Sequence, residues 1–235
     1  RLTVNEYAND GQRLTRETSR LQGVELHSHW HGRRFYLGWH ASYRYGDGDY
    51  RGHTLIGSPL SGRSDERIWD TSLRLGRRYP TTNEDDGAVL FVAAGFRDQQ
   101  RQVVADAGDS FDQHYQVPYA MLGAEGLLWR TRHWRARIRF QVLRSIAPRM
   151  QVELADYAPV TVVTDGRYGV RLSLPLHYEA NSWLALTVSP VVQSWEFGAS
   201  GAETLYRNGS PAGAYQRRRT LMEEVGVLAG IRLHW

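Results

Sequence analysis

The chain has 235 residues, 41% hydrophobic and 11% aromatic, with 23 glycines, no cysteine and a formal net charge of +4. The missing cysteines exclude a disulfide framework and a thiolate metal site. The 29 basic residues, all arginine, are scattered rather than gathered into the patch a nucleic-acid partner needs. No stretch supplies the ~20 apolar residues of a transmembrane helix, a test that does not address strands.

Hydrophobicity with a period of two, the signature of a strand with unlike faces, recurs along the chain. Leu2 to Tyr7 reads as a short first strand, the chain opening on Arg1 without a signal peptide, as a processed form does. Val24, Leu26, Ser28 and Trp30 then alternate with Glu25, His27 and His29. Past a turn at Gly32-Arg33-Arg34 the apolar set is Phe35, Leu37, Trp39, Ala41, Tyr43 and Tyr45. A Gly- and Ser-rich loop is expected over 46–65. Trp69, Thr71, Leu73 and Leu75 form the next strand, and Tyr79 to Gly87 is a connection. Leu90, Val92, Ala94 and Phe96 follow, then a polar loop over 102–112, then Tyr115, Val117, Tyr119 and Met121.

The second half repeats this pattern. Trp134, Ala136, Ile138, Phe140 and Val142 alternate with Arg135, Arg137, Arg139 and Gln141. Residues 145–167 read as a further long loop. Val170, Leu172, Leu174, Leu176 and Tyr178 continue, with Pro175, which cannot donate to a ladder, either counting against that strand or marking a bulge in it. Leu184, Leu186 and Val188 precede a long loop over 198–216. Val225, Val227, Ala229, Ile231, Leu233 and Trp235 then share one face of a last strand.

A strand of this kind with a terminal aromatic resembles the closing strand of Gram-negative outer-membrane β-barrels. The resemblance implies a single domain over 1–235: a closed, antiparallel, transmembrane barrel of about ten strands, or eight if two weak segments fail to pair. It places the chain in the outer membrane of a Gram-negative bacterium. Its partners there are the lipid bilayer, lipopolysaccharide and the barrel-assembly machinery, with Trp235 as part of the assembly signal. The apolar parity is expected to face lipid and the polar parity to fill the lumen, with aromatics such as Trp30, Phe35, Tyr43, Tyr45, Trp69, Trp183 and Trp195 near the strand ends.

Several constellations could carry function. Arg135, Arg137 and Arg139 stand ~6.8 Å apart on one strand face and require carboxylates nearby. Asp70, Glu125, Glu153, Glu179 and Glu224 are available. With Arg171 and Glu179 they would set charge selectivity in an open lumen or form an ion-pair network filling a closed one. His27, His29 and His31 share one strand face, with His40 across the next turn. Neighbouring imidazoles such as His27 and His29 could bind Zn²⁺ or Cu²⁺, but consecutive strand positions are far apart for chelation, and no cofactor is expected. His40-x-Ser42 resembles the His-x-Ser of outer-membrane lipid A deacylases, without an identifiable acid.

Asp47-x-Asp49 and Asp112-x-His114 resemble the two active-site pairs of the omptins, ten-stranded outer-membrane proteases. That family's pairs face one another across the barrel mouth and activate a water. Its Asp-x-His pair, however, belongs in the segment corresponding to 145–167, which holds no histidine. The functional expectation is therefore a non-enzymatic porin-like or scaffold barrel. The alternatives are a surface hydrolase using Asp47, Asp49, Asp112 and His114, and a membrane anchor for a larger envelope assembly with a protein partner.

Overall fold

A computed structural model describes residues 1–8, 10–32, 34–53, 59–79, 87–106, 110–181 and 184–233. Trp183 and Trp235 lie outside the described residues. The strands are β1 (Leu2–Tyr7), β2 (Arg13–His31), β3 (Phe35–His53), β4 (Pro59–Tyr79), β5 (Ala88–Ala105), β6 (Ser110–Arg130) and β7 (Trp134–Ser145). There follow β8 (Arg149–Leu154), β9 (Val160–Ser173), β10 (Leu176–Glu179), β11 (Leu184–Ser200), β12 (Ala202–Arg207), β13 (Ser210–Gln216) and β14 (Arg219–Leu233).

Twelve of these segments form one antiparallel sheet that closes into a barrel, and β12–β13 is a separate hairpin. Closure runs through β1, whose Leu2–Tyr7 pairs with Glu224–Arg219 of β14 on one side and with the start of β2 on the other. Among the described residues, 20–31 of β2 and 225–233 of β14 have no ladder partner on the sides that flank β1. The interruption between β7 and β8 falls at Ile146-Ala147-Pro148, where Ala147 adopts the left-handed region with φ 44°. Leu174-Pro175 separates β9 from β10, as the missing amide of Pro175 suggests.

The strands are longer than hydrophobic alternation alone indicates. β4 and β6 each run for 21 residues, about twice the 9–11 that cross a bilayer. The segments expected as loops over 46–65, 102–112 and 145–167 are largely ladder. Their outer as well as inner positions are polar there (Arg63-Ser64-Asp65-Glu66), so the alternation disappears while the hydrogen bonding continues. Gly46 permits this within β3, because a Cβ there would lie 1.9 Å from the Arg20 carbonyl oxygen. The 198–216 loop is the β12–β13 hairpin. Its turn residues Asn208 and Gly209 have φ of 51° and 78°, the all-positive geometry of a tight hairpin turn.

Side-chain placement divides the barrel lengthwise. In the half nearer the short connections (31–35, 130–134 and 179–184), the outer face is apolar: Leu26, Leu73, Leu75, Val92, Phe140, Leu172 and Val227 are all exposed. In the other half the outer face carries Arg20, Asp47, Arg63, Asp65, Gln102 and Glu153, also exposed. Strand β6 departs from the expected orientation. Its set Tyr115, Val117, Tyr119 and Met121 is buried inside, while Leu122 and Leu128 face out. Interior volume dictates this, since Tyr119 lies against Gly95 of β5, where a Cβ would come within 2.3 Å of the ring. Trp195 is likewise interior and 1% exposed rather than part of an outer aromatic girdle.

Candidate functional site

The interior is filled by arginines held on carboxylates and aromatic rings. At the short-connection end, Glu125 accepts from Arg137 Nε and Arg139 Nε, both at 2.6 Å. Arg135 pairs with Glu179 at 2.8 Å, and Arg171 approaches Glu25 at 3.5 Å. All the residues expected to line a selective lumen therefore point inward, but each is engaged with an opposite charge. Arg74 lies over the Phe91 ring, 5.6 Å from its centroid.

Midway, Asp70 accepts from Arg97 Nε at 2.9 Å and from the Tyr119 hydroxyl at 2.8 Å. Arg97 lies 5.1 Å over Trp195, which packs edge-on against Tyr119. Arg44 pairs with Glu224. Of the carboxylates the arginine ladder called for, Asp70, Glu125, Glu179 and Glu224 are interior, whereas Glu153 lies on the outer wall.

Towards the long-loop end, Arg101 pairs with Glu17 at 2.7 Å and Arg217 pairs with Glu6. Gln99 donates to Glu66 at 3.0 Å. Burial, and then the neighbouring Glu17 charge, push the Glu66 carboxyl up to about 8. Burial likewise pushes the Tyr50 phenol up to about 12. The folded chain thus holds the Glu66 proton more tightly than the unfolded chain does. Its contribution to stability is complete below the ordinary carboxylate range and is lost as pH rises through about 8. Glu66→Gln is expected to leave the melting temperature little changed at pH 5 and to raise it at pH 9. An equal difference at both values would contradict the proton assignment.

Asp47, Asp49, Asp112 and His114 are not arrayed across the barrel mouth. They share the outward parity of Tyr45, while Tyr50, Gln113 and Tyr115 take the inward one. Period-two geometry requires this once β3 and β6 continue through these positions. Asp47, Asp112 and His114 line an open groove of ≈ 910 Å³ on the outer wall, beside Arg20, Arg67 and Glu153. His114 is bonded there to Asp98 at 2.7 Å.

The histidines divide differently from their order in the sequence. His27 pairs in register with His40 of β3 rather than acting with His29. Glu25 Oε1 lies 3.0 Å from His27 Nε2 and 2.6 Å from His40 Nε2. The signal for this grouping was the short sequence spacing between the two strands, which limits the cross-strand register.

No protein-family model and no curated protein matches the sequence. Among solved structures, the outer membrane protease OmpT from Escherichia coli is similar, with a TM-score of 0.56 and 11% identity over 99% of this chain and 92% of that one. The transport unit of the autotransporter AIDA-I from Escherichia coli gives a TM-score of 0.47 and 11% identity, over 100% and 88%. The likeness to OmpT establishes the fold, that of an outer-membrane type of β-barrel.

Proposed function

We propose that the chain is a non-enzymatic scaffold barrel of a Gram-negative outer membrane, with a lumen plugged by its own ion pairs. The observation that carries this reading is the inverted sidedness of the half nearer the short connections. Apolar side chains cover the outside there and charged pairs fill the inside, the reverse of a barrel solvated by water. Treating β7–β8 and β9–β10 as interrupted strands reduces the twelve segments of the ring to ten strands, of which the six-residue β1 is too short to span. The polar half stands above the membrane with the long connections and the β12–β13 hairpin. Lipid and lipopolysaccharide surround the lower half, and the hairpin and outer wall are available to an envelope partner. The pairing of Arg135, Arg137, Arg139 and Arg171 favours a scaffold over an open pore.

The cysteine-free sequence allows a direct test with single-cysteine variants in lipid vesicles. Leu73→Cys and Val227→Cys are expected to resist a membrane-impermeant maleimide, while Arg63→Cys and Asp65→Cys react. Equal labelling at all four positions would rule out the membrane reading.

A further inference from the structure

We propose that Glu25, His27 and His40 form a binding site for one borderline divalent transition-metal ion, Zn²⁺ foremost, inside the barrel wall. The donor atoms of these residues all lie within 4.8 Å of one another, the one such group of metal-ligating side chains among the described residues. Strand pairing creates the site. His27 and His40 are direct cross-strand partners, so their rings stack with centroids 4.8 Å apart. Glu25, two residues before His27 on the same face of β2, sends one carboxylate oxygen between them.

Two Nε2 atoms directed at one oxygen define a three-donor face. Zn–N and Zn–O bonds of ~2.0–2.2 Å place tetrahedral donor atoms about 3.3 Å apart. The present separations of 2.6 and 3.0 Å therefore need only a small opening, within the reach of side-chain torsions. An ion entering there replaces the protons now shared between the imidazoles and the carboxylate. Two imidazoles and one carboxylate suit zinc better than calcium or magnesium, which prefer oxygen.

The surroundings also fit a metal. His40 is 2% exposed, and its Nδ1 faces Asp70 Oδ1 at 3.9 Å, the position from which a second carboxylate orients a metal-bound imidazole. Asp70 is itself held by Arg97 and Tyr119. His27 is 38% exposed, which gives the ion a path inward and leaves coordination positions for water. Arg171 lies 3.5 Å from the same Glu25 Oε1, so an ion bound there displaces it from that oxygen and its charge opposes the ion's.

The test uses the full chain refolded in detergent, stripped with chelator and titrated with Zn²⁺ by calorimetry and with Co²⁺ by visible absorption. One ion per chain is expected to bind saturably. His27→Gln, at a partly exposed position that tolerates substitution, should weaken binding at least about tenfold, the lower end of what loss of even an outer-shell partner costs. His40→Gln should abolish the cobalt spectrum, and His29→Gln should leave both readouts unchanged. Absence of saturable binding, or binding that survives both His27→Gln and His40→Gln in folded protein, would overturn the assignment.

Discussion

Glu125→Gln is expected to destabilise the barrel by about 3–5 kcal/mol, the cost of leaving a buried charge without its partner. The carboxylate serves two cations at once, accepting from Arg137 and Arg139 at 2.6 Å each. Those arginines sit on one face of β7, and Arg137 also donates to the Gly87 carbonyl oxygen at 2.9 Å. Glutamine keeps the volume and removes the charge, so the loss reports electrostatics rather than packing. Glu125→Gln combined with Arg137→Met and Arg139→Met should recover most of the stability, because an apolar replacement of a whole buried ion cluster is often neutral or better. Urea unfolding in detergent micelles provides the readout. A loss below about 1 kcal/mol would mean that water already screens these charges, as in an open lumen.

Trp195→Ala is expected to cost about 3–5 kcal/mol, the range for deleting a buried aromatic side chain. The indole is 1% exposed. It stacks on Phe197, meets Tyr119 edge-on and underlies the Arg97 guanidinium, with ring centroids 5.4 Å away in both aromatic pairs. Removing it opens a void next to Asp70 and its ligands and withdraws the ring on which Arg97 rests. Trp195→Phe should recover much of the loss. A girdle residue would respond differently, its replacement affecting insertion more than equilibrium stability. A cost near zero would therefore return Trp195 to the outer surface.

The contrast between these residues shows what sequence patterning can reveal. In the half nearer the short connections the outer residues are apolar and the inner ones charged, so Trp134 to Val142 shows its sidedness in a single pass. Above that level both faces are polar, and Gln99-Gln100-Arg101-Gln102 offers no hydrophobic contrast to read, although it lies in the middle of a ladder. Continuity was nevertheless implicit for the acidic residues. Tyr43 and Tyr45 belong to the outward set, so a strand prolonged past Gly46 places Asp47 and Asp49 on the outer wall.

The Asn208-Gly209 dipeptide was a hairpin signal within an expected loop. Strand β6 was not legible from patterning alone, because its inner face is as apolar as an outer one. Only the packing of Tyr119 over Gly95 and against Trp195 accounts for its orientation. The Glu25–His27–His40 group depended on register across β2 and β3, which alternation along either strand does not carry.

The most direct test of the account is the single-channel current of the wild-type protein in planar bilayers, with insertion verified by the cysteine labelling pattern. Inserted protein is predicted to be silent, because Glu25, Glu125, Glu179, Asp70 and Glu17 hold the lumen arginines across the passage. Discrete, anion-selective steps from correctly inserted wild-type protein would contradict it and make the same arginines the wall of an open pore.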